Sequence, residues 1–183
     1  MGNRRLALML KPDWKKLGVG ALAVLGGGLL IKKLAENEPR GLAQSQRYID
    51  QLDPSLRSMA RELLQRAANV GIDLVVTQGL RSNAEQERLY AQGRTTEGPI
   101  VTNAPPGSSW HNFGLAFDVA VLSPEGKATW PNDSALWDRI GALGKASGLV
   151  WGGDFASIKD RPHFEYHPGV TLADARQGKK PIA

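Results

Sequence analysis

Two histidines and two aspartates in the second half of the chain have the types and spacing of a zinc site. His111 and Asp118 lie seven positions apart in SWHNFGLAFDVAV, on either side of a predicted tight turn over residues 112–114. His163 lies in KDRPHFEY, three residues after Asp160. Two neutral imidazoles and one carboxylate suit zinc and leave a fourth coordination position open for water. The sequence therefore predicts one zinc ion bound by His111, Asp118 and His163.

Asp160 is the predicted general base of this site. Zinc lowers the pKa of a bound water from about 16 to about 7, and a carboxylate within hydrogen-bond reach assists the loss of its proton. Pro162 stiffens the connection between Asp160 and His163, which favours a carboxylate that points at the same water. Each of the four residues alone has a structural explanation, such as a turn cap or a partner for backbone amides. One metal site explains all four together.

Glu165 and His167 are alternative metal ligands, because residues 163, 165 and 167 share one face if HFEYH forms a strand. Either side chain would then replace one of the three predicted ligands. The helical H-E-x-x-H spacing of one large class of zinc proteases does not occur in HFEYH, so that class is excluded. The chain has no cysteine, which excludes thiolate zinc ligands, disulfides and a cysteine nucleophile.

The elements that must position these residues alternate irregularly along the chain. Asp53 as N-cap, Pro54 at the first helical position and Gly71 beyond the last turn predict a helix. The predicted helices cover 53–71, 82–93 (N-cap Ser82 or Asn83) and 132–148 (N-cap Asn132 or Asp133), and the predicted strands cover 72–79, 115–121, 149–155 and 163–167. This order lacks a βαβ rhythm, so the predicted fold class is α+β, with a small, mainly antiparallel sheet flanked by helices.

The net charge of +5 does not indicate a nucleic-acid partner. Residues 1–40 hold eight of the 23 lysines and arginines but three of the 18 acidic residues, and residues 41–183 hold fifteen of each sign. The excess therefore lies in the N-terminal segment, and no phosphate-binding groove is expected on the rest of the chain. The predicted organisation is an N-terminal export or anchor segment (1–35), a linker (36–41) and one folded, monomeric domain (42–183).

The N-terminal segment contains a short apolar stretch between lysine pairs, KKLGVGALAVLGGGLLIKK. Its uncharged part, residues 17–31, would span roughly 22 Å as a helix, less than the ~30 Å hydrocarbon core. Five of these fifteen residues are glycine. Three alternatives fit: a cleaved signal peptide, a permanent inner-membrane anchor, and a signal-anchor-release segment that enters the membrane and later leaves it. Basic residues ahead of the stretch favour export, which predicts a protein tethered to the inner membrane or released into the periplasm.

Two motifs resemble those of a family of zinc peptidases. They are SxHxxGxAxD in residues 109–118 and DxxH in residues 160–163. The family includes D-Ala-D-Ala carboxypeptidases, VanX-type dipeptidases and L-alanyl-D-glutamate endopeptidases, and the resemblance extends over about residues 42–168. QGLRSNAEQERLYAQGRT and VTNAPPGSSWHNFGLAFDVAV are most similar to the L-alanyl-D-glutamate endopeptidases of phage endolysins and related bacterial wall enzymes. The resemblance implies the metal and base roles given above and places Arg81, in TQGLRS, beside the substrate.

By this resemblance the chain is expected to be a zinc-dependent peptidoglycan endopeptidase that cuts the L-Ala–D-Glu bond of the stem peptide. The glycine-rich apolar stretch is similar to the signal-anchor-release segments of some phage endolysins, which implies a role in host lysis. Arg81 would hold a substrate carboxylate or stabilise the developing oxyanion, and Ser109 would hydrogen-bond the substrate or a metal ligand. The alternatives are a solvated loop arginine and a serine that serves only the turn.

Two other functions fit the same residues. A D-Ala-D-Ala carboxypeptidase or dipeptidase would use the same metal site, because the choice of bond lies in the shape of the cleft. A zinc-containing wall-binding module without catalysis would need the metal ligands but no general base, so the presence of Asp160 argues against it. In each case the expected partner is the peptidoglycan stem peptide.

Overall fold

The computed structural model describes residues 38–181 of the chain. The predicted export or anchor segment, including the apolar stretch, lies outside these residues. Over 38–181 no helix combines the length and apolar composition that crossing a membrane requires. The described elements are α1 (Leu42–Ile49), α2 (Pro54–Ala68), β1 (Leu74–Gln78), α3 (Asn83–Ala91), a 3-10 turn (Trp110–Phe113), β2 (Ala116–Leu122), β3 (Ala128–Thr129), α4 (Ser134–Ala146), β4 (Val150–Trp151), a second 3-10 turn (Gly152–Asp154), β5 (His163–Glu165) and α5 (Leu172–Arg176).

The predicted helices begin at predicted N-caps. The Asp53 carboxylate accepts a hydrogen bond from the Ser55 backbone N–H at 3.1 Å, with Pro54 at the start of α2. Of the two candidate caps for each later helix, Ser82 caps α3 and Asp133 caps α4. These predictions are confirmed. Helices α1 and α5 are additional to the predicted elements.

The five described strands form one antiparallel sheet in the order β1-β2-β5-β4, and β3 pairs with the far end of β2. This arrangement confirms the predicted α+β fold with a small antiparallel sheet. The last two strands are shorter than predicted. Strand β4 ends after Trp151, because the chain enters a 3-10 turn, and β5 ends at Glu165.

Alternation along the strands separates an apolar face of the sheet from a polar face. Phe117 of β2 pairs with Phe164 of β5, and their ring centroids are 5.8 Å apart within the core that α2 and α4 cover. Asp118 and His163 form the neighbouring pair of residues on the same two strands and project to the opposite face. The buried apolar core consists of Ile49, Leu52, Leu56, Ala60, Leu63, Leu64, Ala67, Ile72, Leu74, Val76, Phe117, Val119, Trp137, Ile140, Leu149, Trp151 and Phe164.

Helix α4 packs closely on this core because it presents glycines to it. A Cβ atom at Gly144 would overlap the ring of Phe164, and one at Gly141 would overlap the indole of Trp151. The backbone of α4 therefore lies directly against aromatic side chains of β4 and β5. This contact fixes Phe164 and, with it, the neighbouring His163 on the polar face.

Helix α1 covers the exposed edge of β1. The buried Ser45 hydroxyl accepts a hydrogen bond from the Val76 backbone N–H at 2.8 Å and donates to the Gly41 carbonyl at 2.6 Å. A Cβ atom at Gly41 would overlap the Leu74 carbonyl, so α1 begins in direct contact with the strand. An edge N–H that would otherwise be free to pair with another chain is thereby satisfied.

Candidate metal centre and cleft

A row of three side chains crosses the polar face of the sheet. Asp118 of β2 lies directly opposite His163 of β5 and opposite Gln78 of β1. Residues that pair directly in antiparallel strands project to the same face. Gln78 reaches this row because the register of β1 shifts between Val76 and Gln78, where the extra residue Thr77 forms a bulge. The bulge thus adds a polar side chain from the edge strand to the functional face.

His111 reaches this row from the 3-10 turn Trp110–Phe113, which ends at Gly114 in a left-handed conformation with φ of 69°. Hydrogen bonds connect the turn to the loop after β1. The Arg81 backbone N–H donates to the His111 carbonyl at 2.9 Å, and the Asn112 side-chain amide donates to the Arg81 carbonyl at 3.0 Å. Asn112 therefore positions the turn against this loop. In the sequence, only its place in the predicted turn pointed to it.

The three predicted metal ligands lie together and line one cleft. His111 Nε2 is 3.2 Å from His163 Nδ1, and Asp118 Oδ1 lies 3.3 Å from the first nitrogen and 3.1 Å from the second. One donor atom from each side chain lies within 4.8 Å of the others, an arrangement that could hold a metal ion. Both histidines are buried. The structure therefore brings together side chains from the 3-10 turn, from β2 and from the distant strand β5.

Hydrogen bonds on the far side of each imidazole direct a lone pair into the cluster. His111 Nδ1 lies 2.8 Å from the Gly79 carbonyl, which can only accept, so Nε2 carries no proton in the neutral ring. His163 Nε2 lies 2.9 Å from Glu165 Oε2, so a neutral His163 presents an unprotonated Nδ1. Two lone pairs and a carboxylate then face one another, which is unfavourable unless a cation lies between them. This donor set fits a metal such as zinc.

In the metal-free protein a proton supplies that positive charge. Burial opposes protonation of His163, but its hydrogen bonds with Asp118 and Glu165 raise its pKa to about 10. Burial likewise opposes ionisation of Asp118, yet the adjacent His111 and His163 hold the pKa of its carboxyl well below the usual range. At neutral pH a protonated His163 therefore lies between the carboxylates of Asp118 and Glu165. A metal ion bound at the cluster would replace this proton as the source of positive charge.

Arg81 is buried beside this cluster, so the alternative of a solvated loop arginine is wrong. Its guanidinium donates to Gln86 Oε1 at 3.0 Å and to Gln78 Oε1 at 2.8 Å, and it lies 3.6 Å from Asp118 Oδ2. Gln86 is fully buried, and its amide also donates to the Ala104 carbonyl at 2.7 Å. The two glutamines, which the sequence did not single out as site residues, therefore hold a cation at a fixed place beside the cluster.

Asp160 and Ser109 line the same cleft, whose volume is about 410 Å³. The Asp160 backbone N–H donates to the Gly152 carbonyl at 3.0 Å, and a Cβ atom at Gly152 would overlap the Asp160 carbonyl. Although Asp160 is exposed to the cleft, desolvation and the negative charge of Asp118 raise the pKa of its carboxyl. The Ser109 backbone N–H donates to Asn112 Oδ1 at 3.3 Å, which is a turn role. The roles of Asp160 as base and Ser109 as substrate contact stay predictions.

Glu165 and His167, the alternative ligands, lie behind His163 instead of beside the cluster. Glu165 Oε2 contacts the far nitrogen of His163, and Glu165 Oε1 lies 2.9 Å from His167 Nε2. His167 follows the end of β5, so the predicted sharing of one strand face stops at Glu165. A carboxylate in this position orients a ligating histidine and selects its tautomer. The sequence pattern placed Glu165 near the site without showing which side of His163 it occupies.

Comparisons with known proteins agree with this geometry. The sequence profile of a family described as D-alanyl-D-alanine carboxypeptidase matches residues 102–166, which include the three candidate ligands. The chain is 43% identical over 124 residues to the peptidoglycan L-alanyl-D-glutamate endopeptidase CwlK of Bacillus subtilis (strain 168), covering 64% of this chain and 74% of CwlK. It is also similar to the crystal structure of the L-Ala D-Glu endopeptidase ChiX of Serratia marcescens. That similarity has a TM-score of 0.54 at 26% identity and covers 76% of this chain and 95% of ChiX.

Zinc binding near neutral pH should release about one proton, because His163 is protonated in the metal-free protein and must become neutral to bind a metal. Isothermal titration calorimetry in three buffers of different ionisation enthalpy counts the protons released. Since the pKa of His163 is about 10, the apparent affinity should also rise as the pH is raised from neutral toward that value. His167→Gln keeps all three candidate ligands and should release the same number of protons. Enthalpies that do not vary with the buffer would contradict this assignment.

Proposed function

Because this chain belongs to the peptidase M15 family and is a metallopeptidase of peptidoglycan, we propose that it hydrolyses the L-Ala–D-Glu bond of the stem peptide with one bound zinc ion. The observation that carries the proposal is the convergence of two imidazole nitrogens and a carboxylate in a cleft that Asp160 and Arg81 also line. CwlK and ChiX are both named for cleavage between L-Ala and D-Glu, which supports this choice of bond.

His111, Asp118 and His163 would hold the zinc ion, which when bound polarises the scissile carbonyl and activates the attacking water. Asp160 accepts the proton of that water and passes it to the amine of the leaving D-Glu residue. Desolvation raises the pKa of the Asp160 carboxyl, and this effect of the cleft favours a group that accepts a proton and then donates it. Asp160 is thus the proposed general base and then the general acid.

Arg81 presents a positive charge whose position is fixed before the substrate binds. Because Gln78 and Gln86 hold two of its nitrogens, little side-chain entropy is lost when the guanidinium meets an anion. Arg81 would bind a carboxylate of the substrate or stabilise the developing oxyanion. Ser109, in the wall of the same cleft, would hydrogen-bond the substrate peptide.

Cleavage of D-Ala–D-Ala is the second candidate activity. The observation that favours it is the description of the family whose profile matches residues 102–166. The proposed base and metal ligands would serve either amide bond, because both reactions need the same activated water and the same proton transfer to an amine. The bond that is cut therefore depends on how the walls of the cleft position the stem peptide.

Digestion of purified muropeptides by the full chain tests the proposed bond, with zinc and with excess chelator compared. Mass spectrometry should find a chelator-sensitive product with a new D-Glu amino terminus. Loss of a terminal D-Ala instead would assign the chain to the second candidate activity. Zinc binding without any cleavage would favour a wall-binding module.

Asp160→Asn should lower kcat about 10²- to 10⁴-fold, the usual contribution of a general base. The zinc affinity should stay unchanged, because Asp160 is not among the three candidate ligands. Asp154→Asn is the matched control, since Asp154 is an exposed aspartate of the preceding turn that pairs with Lys145 at 2.7 Å. Steady-state kinetics and a zinc competition assay check both variants. A near-normal rate for Asp160→Asn would mean that another group accepts the proton.

We also propose that the chain is exported to the inner membrane or periplasm and acts as a phage endolysin in host lysis. The support comes from the sequence alone: the apolar stretch over 17–31 is short, rich in glycine and bracketed by lysines. Export brings the enzyme to the side of the membrane on which peptidoglycan lies. A weakly held, glycine-rich span would keep the enzyme at the membrane until lysis begins.

Fractionation of cells that produce the full chain tests this proposal before and after the membrane is depolarised. The intact protein should move from the membrane fraction to the periplasm on depolarisation, because a marginal span is held weakly. A chain that stays integral in the membrane, or one that is wholly cleaved before depolarisation, would contradict release.

A further inference from the structure

A second series of contacts extends outward from His163, away from the cluster. Glu165 contacts His163 Nε2 through one carboxylate oxygen and His167 Nε2 through the other, each at 2.9 Å. The His167 ring stacks on the indole of Trp110, with centroids 3.9 Å apart and planes 8° from parallel. The proposed mechanism assigns no role to these three side chains.

Glu165 has a buried carboxylate that contacts both His163 and His167. Its side chain is 10% exposed, and among residues 38–181 it forms ion pairs with His163 and His167 and with no lysine or arginine. A charge in such a place is costly unless it is paired and hydrogen-bonded. Both of its oxygens are used in this way, so the arrangement favours one fixed orientation of the carboxylate.

The position of Glu165 is also fixed by the sheet. Its backbone pairs with Ala116 of β2 on one side and with Val150 of β4 on the other. Since Glu165 and His163 are two residues apart on β5, they project to the same face, and the carboxylate reaches the imidazole from behind. A rigid strand therefore holds the acceptor that selects which nitrogen of His163 faces the cluster.

Trp110 connects this series back to the other histidine ligand, because it directly precedes His111 in the 3-10 turn. The turn and residues 163–167 thus meet twice. They meet once through the facing nitrogens of His111 and His163, and again through the stack of Trp110 on His167. This second contact joins the two segments that supply the imidazoles.

We propose that Trp110, His167 and Glu165 form an outer brace, a positioning unit that orients His163 with Nδ1 toward the metal and sets its distance from His111. The inference rests on the proposed metal site. The three residues act through the ligands that they position, His163 and His111. Trp110 and Glu165 also line the cleft. The brace makes zinc affinity, and not only the rate of cleavage, depend on residues outside the ligand set.

Zinc dissociation constants measured by competition with a chromophoric chelator test the brace. Glu165→Ala should weaken zinc binding about 10- to 100-fold, the usual effect of removing an outer partner of a ligating histidine. Glu165→Gln should restore most of the affinity, because an amide can accept from His163 and donate to His167. His167→Ala and Trp110→Ala should each weaken binding about fivefold, as expected for one lost contact. Trp110→Phe, which can still stack, should bind zinc as the wild type does.

A double-mutant cycle separates the brace from a general loss of stability. Because His167 acts partly through Glu165, the double variant Glu165→Ala, His167→Ala should lose less zinc affinity than the two single losses combined. The visible spectrum of the cobalt-loaded protein should change in Glu165→Ala and return toward the wild type in Glu165→Gln. Glu62→Ala, which removes an exposed helical ion pair outside the cleft, is the control and should leave the zinc affinity unchanged.

The outcomes distinguish this inference from the proposed function. If the wild type binds no zinc, the metal site and the brace are both wrong. If the wild type binds zinc and Glu165→Ala binds it equally well, the brace alone is overturned. Additive losses in the double variant would remove His167 and Trp110 from the unit. If Glu165→Ala fails to fold, the zinc dissociation constant of His167→Ala is the test, because His167 is less buried. An unchanged dissociation constant for that variant overturns the brace.

Discussion

Three proton-accepting atoms, from His111, Asp118 and His163, face one another at hydrogen-bond distance. Like acceptors repel, so this arrangement requires a positive charge between them, whether a proton or a metal ion. The fold meets the geometric side of this requirement by rigid means. Paired strands hold Asp118 opposite His163, and a 3-10 turn ending in a left-handed glycine brings His111 over the row. Helix α4, packed directly on the aromatic side chains beneath, keeps the paired strands from shifting.

Around this cluster the structure places polar side chains that orient other polar side chains. Gln78 and Gln86 hold Arg81, and Asn112 ties the turn to the loop that carries Arg81. In a site of low exposure, each of these hydrogen bonds is stronger than it would be in water, and a missing partner would be costly. The cation and the acceptors are therefore preorganised. Preorganised charge is the form of electrostatic stabilisation that contributes most to hydrolysis of an amide bond.

Membership of the peptidase M15 family agrees with this arrangement. The sheet and the turn hold the three candidate metal ligands. Outside the sheet, the loops at 101–104 and 155–160 contribute part of the walls of the cleft. The three candidate metal ligands therefore lie on rigid elements, whereas Asp160 and Arg81 lie on loops.

The sequence by itself determined the starts of α2, α3 and α4 to within one residue, the α+β class and the candidate ligands, because caps, apolar periodicity and the donor preferences of zinc are local or compositional properties. The tertiary structure alone decided which nitrogen of each histidine faces the cluster and that Glu165 lies behind His163. It also decided that Arg81 is buried and that the bulge at Thr77 aims Gln78 at the site. These features depend on strand register and on partners far away in the chain. A shift of one residue in register would reverse the face of every side chain, and no local pattern records it.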